Sequence, residues 1–192
     1  MKIVKVGSDC DDVLVSANAS LALFHNERYG TSYTREDVKS WYLQGVWNCS
    51  LEVAIRRVDE WLQSHHHASM DAMPGAVEAV TQLSAYYQLP VITKRSVVRS
   101  AETHALLDKH FGTKLGRVHF TNGFHKKRRS KGSVCVELGI RVFVEDSPED
   151  AADVASEGVT VLLMDSPWNQ EVRNTSRIVR VFGWRDAIDF IG

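Results

Sequence analysis

The sequence has few of the features that mark secreted, membrane-bound or disulfide-rich proteins. Its 192 residues include three cysteines, an odd number without the paired spacing of a disulfide framework or a zinc site, which favours a reducing compartment. They are Cys10, Cys49 and Cys135. The short apolar run 1–7 carries Lys2 and Lys5, so it is typical of a buried strand rather than a signal peptide or membrane span. We therefore expect a cytoplasmic protein with no membrane partner.

The sequence also lacks an excess of either charge. It has 23 Lys and Arg against 24 Asp and Glu, a net charge of −1 with neutral histidines, so any anion-binding site must be local. Hydrophobic residues make up 44% and charged residues 24%, near the average for soluble globular proteins. The chain can therefore bury a substantial core, as one domain with a modest insertion.

Short apolar runs alternate with helical patterns along most of the chain, an order typical of βαβ units and a parallel sheet. The runs are 3–6, 89–92, 117–120, 141–144 and 159–164. Between the first and second runs, the stretch from about Ser16 to Met73 has helical periodicity and no convincing strand. We predict an α/β core of residues 1–16 and 73–192, with an α-helical cap inserted at 17–72.

Turn and capping residues divide the predicted cap into three helices. Gly30 ends the first, Thr34 begins a second that reaches about Gln44, and Ser50 begins a third. Apolar residues at helical spacing predict the buried face of the third helix: Leu51, Ala54, Ile55, Val58 and Leu62. Consecutive histidines at 65–67 would point in different directions on a helix, so we expect no metal site there.

An acidic turn follows the first apolar run, in the segment Gly7-Ser8-Asp9-Cys10-Asp11-Asp12. Ligands of parallel α/β sheets bind at the carboxyl ends of strands, where Asp9 would lie. Asp9 and Asp11 in one tight turn repel each other, so the pair needs a cation or a shared proton. The alternative is a solvated turn or a helix N-cap.

The sequence Asp-Cys-Asp-Asp-Val-Leu after a buried strand resembles the first motif of the haloacid dehalogenase (HAD) family. The resemblance implies that Asp9 attacks phosphorus to form an aspartyl phosphate. It also implies that Asp11 protonates the leaving group and then activates water. A carboxylate nucleophile splits a hard phosphoryl transfer into two easier steps. The family's fold implies a Rossmann-like core, a parallel sheet flanked by helices, plus a small inserted α-helical cap.

Three later segments resemble the remaining HAD motifs, in the family's order. Thr93, at the end of the second run, resembles the residue that hydrogen-bonds a phosphoryl oxygen, although a lone Thr there is more typical of an N-cap. Lys131, in the first turn of a predicted helix, resembles the lysine that offsets charge at the phosphate. Asp146, after the fourth run, resembles a magnesium ligand.

The implied cofactor is Mg²⁺, held by the Asp9 side chain, the Asp11 carbonyl and Asp146, which supply the oxygen donors that this ion prefers. Glu145 stands where the family often has Asp, and its longer side chain leaves direct coordination open. Asp150 could orient a metal-bound water or cap the following helix.

Basic residues near the motifs admit more than one role. Lys94 and Arg95 depart from the family's pattern and could hold a second anionic group of the substrate, or face solvent. The basic run 126–131 could be a solvated loop with one catalytic lysine, a nuclear localisation patch or a nucleic-acid contact.

The Asp-x-Asp-x-Val-Leu pattern and the segment 164–169, Met-Asp-Ser-Pro-Trp-Asn, resemble the 5′-nucleotidase and deoxyribonucleotidase branch of the family. The resemblance implies a magnesium-dependent phosphatase for a nucleoside monophosphate; a sugar phosphate or other small phosphoester is the alternative substrate. Trp41 and Trp47 could stack on a base or form cap core. A non-catalytic protein that binds nucleic acid or phosphate is the alternative of another class. Nucleic acid is not the expected partner, and a homodimer is left open.

Overall fold

A computed structural model describes residues 5–40, 42–121 and 129–192. In it, parallel strands form one sheet in the order β3-β2-β1-β4-β5-β6. The strands are β1 (Lys5–Ser8), β2 (Val91–Thr93), β3 (Val118–Phe120), β4 (Ile140–Glu145), β5 (Thr160–Met164) and β6 (Ile178–Val181). The predicted α/β fold with a parallel sheet is confirmed. The sequence prediction missed β6, because four residues that include Arg180 make a weak apolar run at the edge of the sheet.

Side chains of the strands fill an apolar layer on each face of the sheet. In β5, Leu162 packs into one layer, whereas Leu163 packs into the other, because successive side chains of a strand alternate between faces. The first layer is covered by α5 (Ala76–Leu83), α6 (Ser100–Phe111) and α9 (Trp184–Ile191). The second is covered by α7 (Lys131–Leu138) and α8 (Pro148–Ser156). Burial on both faces explains why the strands are continuous apolar runs.

The chain leaves the sheet after β1 and returns at α5 through two connections that lie side by side. The Ser16 amide donates to the Asp71 carbonyl at 2.9 Å, and the Met73 amide donates to the Leu14 carbonyl at 2.8 Å. The helices between them, which we call the helical insertion, are α1 (Ala17–Tyr29), α2 (Leu43–Val46), α3 (Leu51–Leu62) and α4 (His65–Ala68). The division into a core of 1–16 and 73–192 and a cap of 17–72 stays a prediction. No described helix is long and apolar enough to cross a membrane.

The second predicted helix, from Thr34 to about Gln44, is wrong. Thr34 and Asp37 do form a reciprocal capping box, but it begins a single 3₁₀ turn at Arg35–Asp37. Val38 then leaves helical geometry and is buried. With φ −79° and ψ 84°, Val38 cannot continue the helix, and a separate short helix, α2, begins at Leu43.

The buried face of α3 also differs from its predicted stripe. Ser50 caps the helix as predicted, its hydroxyl accepting from the Val53 amide at 3.3 Å. Leu51 and Ile55, however, are 58% and 54% exposed. Ala54 is buried as predicted, and Val58 and Leu62 pack partly buried against the core. Trp61, outside the predicted stripe, is buried too, and its indole donates to the Ser20 hydroxyl at 3.1 Å. The indole is the largest side chain on α3, and its burial rotates the helix away from the purely aliphatic stripe.

The consecutive histidines were predicted to point in different directions, which is wrong for two of them. His65 and His66 lie at the start of the single-turn helix α4, and their ring centroids are 4.0 Å apart. Their long side chains swing to the same side, beside Glu27 of α1. His67 alone turns inward, where it is buried against Trp61.

Candidate active site

The sheet brings together side chains from three segments that are distant in sequence. Asp9 follows β1, Thr93 ends β2 and Asp146 follows β4, and these three strands are neighbours in the sheet. The Asp9 amide donates to the Val144 carbonyl of β4 at 2.9 Å, so the pairing of β1 with β4 fixes the position of Asp9. Their common edge is where an open parallel sheet binds its ligands.

A tight turn after β1 directs the acidic residues. Asp12 has a positive φ of 53°, and its amide donates to the Val15 carbonyl at 2.7 Å. Its carboxyl group accepts from the amide of Asn18 at 3.1 Å and from the Asn18 side chain at 2.8 Å, which places this group at the start of α1. Burial and the neighbouring Asp11 raise the pKa of Asp12 to about 7, against the opposing influence of Arg35. Through its contacts with Val15 and Asn18, Asp12 stabilises the turn between β1 and α1.

Lys131 is the central cation of the site. Its Nζ lies 2.8 Å from Glu145, 2.9 Å from Asp9 and 3.2 Å from a carboxylate oxygen of Asp150. The lysine is only 2% exposed, and burial alone would lower its pKa, but the three carboxylates raise it well above the usual value. Lys131 is therefore charged, as its predicted role requires.

Hydrogen bonds hold the two acidic residues at the end of β4, Glu145 and Asp146. One Glu145 carboxylate oxygen accepts from the amides of Asp146 and Ser147 at 2.9 and 3.0 Å, and the other accepts from Lys131. The Trp168 indole donates to the Asp146 carboxylate at 2.9 Å, and the Asn169 side-chain amide donates to the Asp146 carbonyl at 2.8 Å. Glu145 thus orients Lys131 and the backbone, while Trp168 orients Asp146.

The donor set fits a hard divalent cation. Carboxylate oxygens of Asp9, Glu145 and Asp146 lie within 4.8 Å of one another, and all three residues are buried. Burial, with repulsion from neighbouring carboxylates, raises the pKa of Asp9 and of Asp146 well above the usual value. Asp9 Oδ1 has the Lys131 charge beside it but no well-directed hydrogen bond among the described residues. Such a cluster of oxygens is typical of a Mg²⁺ site.

Asp11 and Arg95 form a two-pronged ion pair beside this cluster. Arg95 donates from Nε to Asp11 Oδ2 at 3.0 Å and from Nη2 to Oδ1 at 2.7 Å. Burial alone would raise the pKa of Asp11, but the guanidinium charge and these hydrogen bonds lower it below the usual value. The Arg95 amide also donates to the Thr93 hydroxyl at 3.1 Å, so one residue orients both Thr93 and Asp11.

Comparisons with known proteins identify the family to which this site belongs. The model of the family described as 5′ nucleotidase, deoxy (pyrimidine), cytosolic type C protein matches residues 2–192. The chain belongs to this nucleotidase family. A nucleotidase of Clostridium acetobutylicum is 21% identical over 194 residues, covering 100% of this chain and 95% of the relative.

Solved structures agree on the fold. A haloacid dehalogenase-like hydrolase of Streptococcus pneumoniae superposes with a TM-score of 0.70 at 10% identity, covering 100% of both chains. A HAD-type protein of Bacillus subtilis solved with magnesium gives 0.65 at 14% identity, covering 100% of this chain and 99% of that one. These structures confirm the predicted HAD-type fold, and the family model and the Clostridium relative confirm the predicted relationship to the 5′-nucleotidases, which are phosphatases.

The residues predicted to contact substrate in this nucleotidase-family chain lie in different surroundings. Lys94 is partly exposed and pairs with Asp150 at 2.7 Å, whereas the Arg95 side chain is 9% exposed and is held by Asp11. Trp47 is buried inside the helical insertion, where it stacks on His25 with ring centroids 4.5 Å apart. Trp41 and residues 126–128 of the basic run lie outside the described residues.

Sequence reasoning missed a bridge between the helical insertion and the core of this nucleotidase-family chain. Arg35 donates to the Ser166 hydroxyl at 2.9 Å, lies 3.6 Å from Asp12 and covers the Trp168 ring at 4.8 Å from its centroid. Because the Trp168 indole also donates to Asp146, this bridge ends at the carboxylate cluster of Asp9, Glu145 and Asp146. The Pro-Trp-Asn segment was the available signal for Trp168; nothing in the sequence joined it to Arg35.

Proposed function

We propose that the chain is a cytoplasmic, magnesium-dependent phosphomonoesterase that acts on a nucleoside monophosphate through an aspartyl phosphate on Asp9. The observation that carries the proposal is the buried carboxylate cluster of Asp9, Glu145 and Asp146, with the Lys131 ammonium 2.9 Å from Asp9. A carboxylate nucleophile needs a cationic environment to approach a phosphate dianion, and this cluster has both the cationic side chain and the cation-binding oxygens.

In the first step an Asp9 oxygen bonds to phosphorus and the ester oxygen leaves with a proton from Asp11. Lys131 offsets the charge of the phosphoryl oxygens, and the Thr93 hydroxyl donates to one of them. The Thr93 hydroxyl accepts from the Arg95 amide, and its own proton has no acceptor among the described residues, so it can be donated to the phosphoryl group. Asp9, Asp146 and the Asp11 carbonyl would hold Mg²⁺, which would neutralise charge between the phosphate and the carboxylates.

In the second step water attacks the phosphorus of the aspartyl phosphate, loses a proton to Asp11 and releases inorganic phosphate with Asp9 restored. The ion pair with Arg95 keeps Asp11 ionised, which is the form that accepts this proton. The first step requires protonated Asp11 and hence its separation from Arg95. We propose that an anionic group of the substrate draws Arg95 away from Asp11.

Arg95→Gln should lower kcat by roughly 10- to 100-fold, because Asp11 loses the two-pronged ion pair that orients it, whereas Thr93 keeps its hydrogen bond from the backbone amide of residue 95. Lys94→Gln is the matched control at the neighbouring position, where the partly exposed ammonium should affect KM more than kcat. Steady-state kinetics on one phosphate ester measures both. An unchanged kcat in Arg95→Gln would show that Asp11 does not depend on Arg95.

Trp168→Phe should weaken the apparent affinity for magnesium by about 10- to 100-fold while kcat recovers at saturating magnesium, because Asp146 loses a hydrogen bond that orients it. Trp61→Phe is the control, since it removes an indole hydrogen bond of similar length, 3.1 Å to the Ser20 hydroxyl, from the helical insertion. Magnesium titrations of activity measure the effect. Equal magnesium dependence in the parent and in Trp168→Phe would exclude this positioning role.

The nucleotide preference is supported by the family and by the Clostridium relative's description as a nucleotidase. The test is a release assay for inorganic phosphate across nucleoside monophosphates and sugar phosphates, with magnesium or EDTA, and with Asp9→Asn as the blank. Magnesium-dependent hydrolysis that favours nucleotides is expected. A preference for sugar phosphates would move the assignment to the alternative substrate class. Nucleic-acid binding without hydrolysis would indicate the non-catalytic alternative.

A further inference from the structure

A second group of side chains with the donor atoms for a metal ion lies on the helical insertion. It comprises Glu27 near the end of α1 and His65 and His66 at the start of α4, which we call the Glu-His-His cluster. One ligand atom from each of the three lies within 4.8 Å of the others. The cluster shares no residue with the carboxylate site around Asp9, and its chemistry differs because two donors are imidazole nitrogens.

The cluster is held in place by its surroundings. The His66 Nε2 lies 2.6 Å from a Glu27 carboxylate oxygen, and the His66 ring packs edge-to-face on Phe24 at 6.1 Å. The Ser20 hydroxyl donates to the His66 carbonyl at 2.8 Å, which fixes the backbone beneath the ring. The His66 side chain is only 17% exposed. Two ligands therefore have defined positions before any cation binds.

The His65 ring completes the set. It lies 4.0 Å from the His66 ring at an interplanar angle of 34°, and within the described residues no side-chain hydrogen bond accounts for that position. The contact between His66 and Glu27 alone does not explain why the His65 ring lies beside them. The three side chains also line an open cleft of about 260 Å³, so a cation can enter and keep an open coordination position.

We propose that the Glu-His-His cluster binds one divalent transition-metal ion, with Zn²⁺ as the ion of choice. Two imidazoles and a carboxylate suit this borderline-soft cation, which binds nitrogen and oxygen donors at about 2.0–2.2 Å. Magnesium demands oxygen donors and octahedral geometry, so it occupies the carboxylate site in preference to this cluster. A cation bound here links α4 to α1 within the helical insertion. The proposed zinc site is independent of the proposed catalytic reaction.

The test is isothermal titration of Zn²⁺ into the full chain without a histidine tag, in saturating Mg²⁺ to occupy the carboxylate site. One Zn²⁺ per chain is expected. Glu27→Gln and His65→Gln, both at exposed positions, should each weaken binding by about 10-fold or more, since each removes one ligand. His104→Gln, which replaces an exposed histidine of α6, is the matched control and should bind as the parent does.

A second arm separates this cluster from the carboxylate site. Asp146→Asn should retain the zinc affinity of the parent, and Zn²⁺ should raise the thermal midpoint of the parent and of His104→Gln but not of Glu27→Gln. Absence of stoichiometric binding would overturn the proposal. Parent-like affinity in Glu27→Gln or His65→Gln would do the same, and so would loss of zinc binding in Asp146→Asn.

Discussion

Asp9→Asn should reduce phosphatase turnover by roughly 10⁴-fold or more, because the amide keeps the shape of the side chain but cannot attack phosphorus. The fold should persist. Lys131 would keep Glu145 and Asp150 as partners, and one of the mutually repelling buried carboxylates would be gone. Release of inorganic phosphate measures turnover, and thermal unfolding verifies the fold.

Asp11→Asn is the matched control for the Asp9 variant. With an aryl phosphate whose leaving group needs no proton, Asp11→Asn should still form the aspartyl phosphate but hydrolyse it slowly. Asp9→Asn should form none. Beryllium fluoride should inhibit the parent by imitating the aspartyl phosphate. Substantial turnover in pure Asp9→Asn, or insensitivity of the parent to beryllium fluoride, would contradict a covalent role for Asp9.

Trp47→Ala should lower the free energy of unfolding by about 3–5 kcal/mol, since it removes a large side chain from the interior of the helical insertion. The His25 ring would lose its stacking partner at 4.5 Å, and the Arg57 guanidinium, 6.0 Å from the indole centroid, would lose part of its cover. Urea unfolding measures the loss, with amide exchange to locate it.

Two variants control for the size and place of the Trp47 effect. Trp47→Phe keeps an aromatic ring against His25 and should lose less stability than Trp47→Ala. Tyr42→Ala removes a side chain that is 67% exposed and should change stability by no more than about 0.5 kcal/mol. For a structural Trp47, kcat/KM should fall equally for all substrates. A small stability loss with a selective loss for one nucleotide would instead restore the predicted contact with a base.

The positions of the acidic residues could be predicted because the ends of buried strands can be recognised from the sequence pattern alone. Asp9 and Asp146 each follow an apolar run, and parallel strands must bring their carboxyl ends to one edge of the sheet. Lys131 was predicted from its place in the first turn of a helix. Ser130 does cap that helix, α7, by accepting from the Ser133 amide at 3.0 Å. Local patterns were sufficient for these residues.

The contacts that orient the site could not be predicted in the same way. Arg35 reaches Ser166 across 131 positions of sequence, and Arg95 reaches Asp11 across 84. Such pairs depend on how the helical insertion packs on the core. The same limit explains α3, where the exposure of Leu51 and Ile55 was decided by burial of Trp61 rather than by the aliphatic spacing.

The most direct test of the central claim is peptide mass mapping of Asp11→Asn after rapid acid quenching of its reaction with an aryl phosphate and magnesium. The slow second step should leave one phosphoryl group on the peptide that contains Asp9, and hydroxylamine should remove it. Asp9→Asn treated identically should carry none. An Asp9 peptide that remains unmodified while the aryl leaving group is released in a burst would contradict the aspartyl phosphate mechanism.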